Sequence, residues 1–312
     1  VMPVQRLILV IALLFTVGIV WYMYSSGYVG YMYNLDTASY EYLSSSKRHL
    51  TFVSVSADED MKKSFEKFAQ RGVKVIVGPP LSSDGEKIIP YLKKYKMISL
   101  SATISSDDLL NSGYIYSLSP SNSAYISSLM EVLKNVGSRN ILLVLDPRNV
   151  KYSDEFKTIL NNYNGQSVYY YNPESLSGFD LSSYDTALLT VSFKYAIDVI
   201  NQLREANPEM RIIGTDSLLN SDLITFGGKN SEGMLILYPL EYTEYPEVSL
   251  IDECAEILEE HRFISSEQFK RFLNNSVIQV SKEKIFFNSG SVKRDVYLYQ
   301  ISDGQFKMIA KW

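Results

Sequence analysis

The sequence predicts an α/β protein of two doubly wound lobes, preceded by one N-terminal membrane-spanning helix. Three observations carry this expectation. Short β-branched runs alternate with amphipathic helical spacing, the pattern of parallel sheets covered by helices on both faces. The series starts twice, once after Gly27 and again near residue 120. Ahead of both lies an uncharged apolar run, "LILVIALLFTVGIVWYMY".

That run, Leu7–Tyr24, would span ~27 Å as a helix, close to the thickness of a bilayer's hydrocarbon core. A cleaved signal peptide has a shorter apolar stretch of about 7–15 residues, although Ser25-Ser26-Gly27 offers small residues where cleavage would occur. Residues 1–27 therefore read as an uncleaved anchor. Arg6 stands on the short N-terminal side, which places the bulk of the chain outside the cytoplasm.

In the first lobe, strands are expected at Tyr28–Tyr33, Leu50–Val55, Val73–Val77 and Met97–Leu100. Helical spacing fills the gaps, as in Met61, Phe65 and Phe68 before Gly72, or Ile88, Ile89 and Leu92. The second series opens with a helix over 122–136, its apolar stripe Ile126, Leu129, Met130 and Leu133 stopped by Gly137. Strands follow at Ile141–Leu145, Ser167–Tyr171, Ala187–Val191, Arg211–Gly214 and Met234–Tyr238, with a helix carrying Ala196, Ile197, Ile200 and Leu203. The last seventy residues read as two helices and then a pair of β-hairpins turning at Asn288-Ser289-Gly290 and Asp303-Gly304. The expected division is 28–118 with about 248–275 in lobe 1, and 119–247 with about 276–312 in lobe 2.

Charge and composition exclude several functions. Thirty basic against thirty-five acidic residues, with no long basic run, argue against a nucleic-acid partner. One cysteine, Cys254, allows no intrachain disulfide. Two histidines, His49 and His261, stand in no metal-spaced cluster, so metal or nucleophile–histidine catalysis has almost nothing to be built from and no cofactor is implied. "GPPLSSDGEK" lacks the Lys-Ser/Thr of a nucleotide loop. Tyr169-Tyr170-Tyr171 fits a strand alternating between core and surface better than a stacking platform.

Two hydroxyl-rich turns stand out. In "VKVIVGPPLSSDGEKIIP" a core strand ends in Gly-Pro-Pro and then Ser82-Ser83, at a helix start whose unpaired N–H groups suit an anion. "MISLSATISSDDL" again ends a strand in hydroxyls, Ser101, Thr103, Ser105 and Ser106. Helix capping accounts for Ser105 or Ser106 ahead of Asp107-Asp108, but not for Ser101 or Thr103. If the two strands are neighbours, both turns face one crevice beyond the carboxyl ends of the sheet, where ligands of such folds sit.

Three stretches carry a family resemblance: "GVKVIVGPPLSSDGEKIIPYLKKYKMISLSAT", "YIYSLSPSNSAYISSLMEVLKNVGSRNILLVLDPRNVKYSDEFKTIL" and "INQLREANPEMRIIGTDSLLNSDLITFGGKNSEGMLILYP". In their order and spacing they resemble the type I periplasmic binding proteins, and within these the branched-chain amino acid (Leu/Ile/Val) receptors of ABC transporters. The resemblance covers about residues 70–240 in register and, more loosely, 285–308. It implies two Rossmann-like lobes joined by a hinge and closing on a small ligand without catalysis. It implies that Ser82, Ser101 and Thr103 grip a ligand's α-carboxylate, Ser101 through its backbone carbonyl, with Ser83 in the same turn. Asp216 of "IIGTDSLL" would hold the α-ammonium, and Tyr152 and Phe193 would supply aromatic walls; an N-cap or Asx-turn is the alternative for Asp216.

The chain also departs from that pattern. "YMYNLDTASYEYLSSSKRHL" leaves room for only a short helix after the first strand, Tyr152 comes two residues late, and the stretch from Pro239 to Ile251 is short. The expected function is an anchored extracytoplasmic receptor for an amino acid or similar zwitterion, working with an ABC permease. The alternative is a ligand-free interaction or envelope-assembly module on the same fold.

Overall fold

The computed structural model describes residues 4–25, 27–45, 50–161, 167–173, 180–243, 246–261, 263, 265–280 and 283–312. It opens with α1 (Val4–Ser25). The first lobe begins β1 (Tyr28–Tyr33), α2 (Ala38–Ser45), β2 (Thr51–Ser56), α3 (Met61–Gln70) and β3 (Val75–Val77). It continues with α4 (Ser82–Tyr95), β4 (Ile98–Ser101), α5 (Asp107–Leu110) and β5 (Ile115–Ser117). The second lobe holds α6 (Asn122–Asn135), β6 (Asn140–Val144), α7 (Val150–Leu160), β7 (Ser167–Tyr171) and β8 (Thr186–Leu189). Next come α8 (Phe193–Ala206), β9 (Arg211–Gly214), α9 (Ser221–Gly227) and β10 (Leu235–Tyr238). The chain ends in α10 (Pro246–Glu260), α11 (Ser266–Asn275), β11 (Ile278–Val280), β12 (Glu283–Ile285), β13 (Phe287–Asn288), β14 (Ser291–Val292), β15 (Tyr297–Ser302) and β16 (Gln305–Lys311).

The first sheet runs β13-β14-β5-β4-β3-β1-β2, the second β16-β15-β10-β9-β8-β6-β7. Strands β1 to β5 pair in parallel, as do β6 to β10, while β15 joins β10 antiparallel. Helices cover both faces of each sheet, and for that reason the central strands are apolar on both sides. Phe65 and Phe68 of α3 and Ile88 and Leu92 of α4 close one face of the first sheet. Leu250, Ile251 and Cys254 of α10 and Phe269 of α11 close the other. In the second lobe α8 and α9 take one face, α6 and α7 the other.

Chain order reverses between β1 and β3 in the first sheet and between β6 and β8 in the second. These are the switch points at which an open α/β sheet leaves a crevice beyond its carboxyl ends. The turn after β3 is tight because Gly78 takes a φ of +92° and packs against β1; a Cβ there would come 2.2 Å from the Met32 carbonyl oxygen.

One expectation is corrected. Residues 276–292, assigned from sequence to lobe 2, belong with the first sheet: β13 pairs with β14, β14 with β5, and Ile278, Val280 and Ile285 pack into the first lobe's core. Only β15 and β16 return to the second sheet. The chain thus crosses between the sheets three times, after β5, after β10 and after β14. At the expected anchor, the described side chains of α1, Ile8 and residues 10–19, are exposed and largely apolar. Among the described residues no helix is long and apolar enough to cross a membrane.

Candidate functional site

Three hydroxyls on the second serine-rich turn hold three consecutive carbonyls of the first. Ser99 Oγ donates to Gly78 O at 2.6 Å, Ser101 Oγ to Pro79 O at 2.8 Å and Thr103 Oγ1 to Pro80 O at 2.7 Å. Alternate residues of β4 point to the same side, and the parallel register sets Leu100 beside Val77. Pro79 and Pro80 have no N–H with which to close a turn of their own, so the hydroxyls fix a loop that cannot fix itself.

This corrects the expected role of Ser101. Its hydroxyl also accepts from the N–H groups of Thr103 and Ile104, and its carbonyl accepts from Leu118 N–H. It is fully buried behind the cleft wall and reaches no ligand space. Thr103 does line the cleft, and its oxygen, while donating to Pro80, keeps lone pairs for acceptance. Ser82 opens α4, is 2 % exposed and lines the cleft. Among the described residues its hydroxyl has no hydrogen-bond partner. Ser83 turns to the other lobe: its N–H donates to Asn149 Oδ1 at 3.0 Å, and its Oγ accepts from Lys151 N–H at 3.1 Å.

The second lobe supplies the opposite wall. Asp216 follows β9 and starts a short 3-10 turn whose N-cap is Thr215, so Asp216 is not the cap there. Tyr152 on α7 donates its hydroxyl to Asp216 Oδ1 at 2.7 Å, and its ring packs 4.8 Å from Phe156. Burial pushes the Asp216 carboxyl above the usual carboxylate range, against the lowering effect of the Tyr152 hydroxyl and the Ser217 N–H. Burial, reinforced by the Asp216 charge, raises Tyr125, Tyr152 and Tyr238 as well. Phe193, the first residue of α8, lines the cleft with its ring 6.2 Å from Phe226.

Between these walls lies a cleft of about 420 Å³, within the usual size of a small-molecule site. It is bordered by Asp36 and Thr37 after β1, Pro80 to Ser82 after β3, Asp146 and Asn149 after β6, and Thr190, Ser192 and Phe193 after β8. It therefore joins the switch points of both sheets. Ser82, Thr103, Tyr152, Phe193 and Asp216 come together here; Ser83 and Ser101 support the walls without facing the space. Sequence reasoning missed Asp146, Asp222, Tyr238 and Glu247. The signal for Asp146 was present in "LVLDPRN", an acidic residue at a strand's carboxyl end, where its carboxylate accepts from the N–H groups of Ser192 and Arg148. Among the described residues no group of three His, Cys, Asp or Glu is placed to hold a metal.

Along one rim the lobes touch directly, through the start of α7. Arg148 pairs with Asp36, Lys151 Nζ lies 2.6 Å from Asp108 Oδ2, and Glu155 accepts from Ser106 Oγ and, at 3.0 Å, from Asp107 N–H. Asn122 Nδ2 donates to the same carboxylate at 2.8 Å. Residues 148–155 of the second lobe thus carry bonds to three segments of the first, at Asp36, at Ser83 and at 106–108.

No protein-family model and no curated protein matches the chain. Solved structures do. A leucine-binding protein, LivK, from Thermotoga maritima superposes with a TM-score of 0.74 at 14% identity, over 91% of this chain and 98% of its own. An extracellular ligand-binding receptor from Rhodopseudomonas palustris gives a TM-score of 0.73 at 11% identity, over 90% and 99%. The branched-chain amino acid transporter substrate-binding protein LivJ from Streptococcus pneumoniae, in complex with isoleucine, gives 0.72 at 13% identity, over 91% and 98%. All three are binding proteins. Two parallel-sheet lobes, three crossings and near-complete coverage of these structures establish that the chain has the type I periplasmic binding protein fold.

Proposed function

We propose that the protein is an extracytoplasmic solute receptor for an amino acid or similar small zwitterion, anchored through residues 7–24 and passing its ligand to an ABC permease. The observation that supports it most is the polarity of the cleft. One wall offers the start of α4 and the Ser82 and Thr103 hydroxyls, which suit a carboxylate; the facing wall offers Asp216, which suits an ammonium. Two of the similar structures hold leucine or isoleucine. The apolar run before β1 and the single Arg6 ahead of it support the anchor and its orientation.

A thermal-shift panel of the twenty amino acids on the full-length chain tests this reading. A ligand that binds only the folded state raises the melting temperature, by the equivalent of about 2.7 kcal/mol at a hundred times its Kd. At least one amino acid is expected to do so, and the expressed chain is expected to stay with membranes through alkaline extraction. A flat panel would move the reading to an interaction module on the same fold, and release by alkali would remove the anchor.

A further inference from the structure

We propose that the bound solute carries a second cationic group besides its ammonium and carboxylate, the chemistry of a dibasic amino acid such as lysine or ornithine. This rests on the receptor reading above. Among the described residues the cleft lining contains five carboxylates, Asp36, Asp146, Asp216, Asp222 and Glu247, and no lysine, arginine or histidine. Three of them are engaged by the protein itself: Asp36 by Arg148, Asp146 by the Ser192 and Arg148 N–H groups, Glu247 by Ala38 N–H. Among the described residues Asp216 receives the neutral Tyr152 hydroxyl and local N–H groups. Asp222, exposed in the first turn of α9, has no side-chain partner among the described residues.

A solute with a neutral side chain adds no net charge to this lining and leaves the excess as it was. One with a second ammonium neutralises a further unit at Asp222, on the open side of the cleft, where the pairing is felt at low ionic strength and screened by salt. Leu35 and Leu219 offer apolar surface for a methylene stem, and the rings of Tyr152, Phe193 and Tyr238 offer faces that attract a cation. Ser82, a largely buried residue on the cleft wall, has no hydrogen-bond partner for its hydroxyl among the described residues and leaves that group free for a ligand in this space.

Isothermal titration of the full-length chain with L-lysine, L-norleucine, L-leucine and cadaverine tests the proposal. Norleucine keeps the chain length of lysine and lacks only the distal ammonium; cadaverine keeps both amines and lacks the carboxylate. Lysine is expected to bind tighter than either by at least about tenfold at low salt. The lysine-to-norleucine ratio should shrink with added NaCl and in Asp222→Asn. Norleucine binding as tightly as lysine would overturn the second cationic group and leave the receptor reading standing. Cadaverine matching lysine would overturn the dibasic zwitterion in favour of a diamine. Absence of binding by lysine, norleucine and leucine alike would overturn both this inference and the amino-acid reading beneath it.

Discussion

Asp216→Asn is expected to stabilise the free protein at neutral pH while removing most of its affinity for ligand. Burial raises the folded-state pKa of this carboxyl, so the folded protein holds a proton there more tightly than the unfolded chain does. The resulting stability is fully present below the unfolded value of about 3.9 and is lost as pH rises through the raised folded value. At neutral pH the buried carboxylate is then a cost, which the amide removes while still accepting from Tyr152. Melting curves should show the variant's advantage growing from acid toward neutral pH and then levelling. With ligand present the order reverses, because a desolvated ammonium loses its charged partner at a cost of roughly 2–5 kcal/mol. A variant that is less stable when free, or that binds as the native protein does, would mean Asp216 serves the fold and not the ligand.

Glu155→Ala should loosen the two lobes. Its carboxylate accepts from Ser106 and Asp107 of the first lobe and from Asn122 at the start of α6, and hydrogen bonds to a charged group contribute about 1.5–3 kcal/mol each. Loss of even one shifts an open–closed equilibrium by roughly tenfold or more, since ~1.4 kcal/mol corresponds to a factor of ten. Small-angle scattering of the variant should give a larger radius of gyration than the native chain without ligand, and saturating ligand should restore part of the difference. An unchanged radius would show that Arg148–Asp36 and Lys151–Asp108 hold the rim on their own.

The central strands were legible because parallel strands buried on both faces must be apolar throughout: "VIV", "NILLV" and "RIIG" announce themselves. The short ladders were not. β5 has three residues, β13 and β14 two each, and their pairing depends on a sheet edge that no local pattern describes. Hence 276–292 was placed with the wrong lobe. At the site, the hydroxyls after β3 and β4 were visible as a composition, but dividing them required the register of the two strands. Ser101 ends β4, fully buried and bonded to Pro79, whereas Thr103 stands two residues further out, bonded to Pro80 and still lining the cleft. Asp222 and Glu247 reach the cleft from turns far apart in sequence, one on α9 and one on α10, and only the three crossings bring them together.

The central claim is that one cleft recognises both ends of a zwitterion, a carboxylate at α4 and an ammonium at Asp216. Its most direct test holds the protein constant and changes the ligand. Equilibrium dialysis of the full-length chain against the radiolabelled amino acid that raises its melting temperature should show saturable binding of one molecule per chain. The same amino acid unlabelled should compete, while its α-carboxamide and its deaminated analogue should each compete at least about a hundredfold less well, since each leaves one buried partner unsatisfied. Competition by the amide or the deaminated acid as effective as by the amino acid itself would contradict the account, because the two walls would then not be reading the two charges.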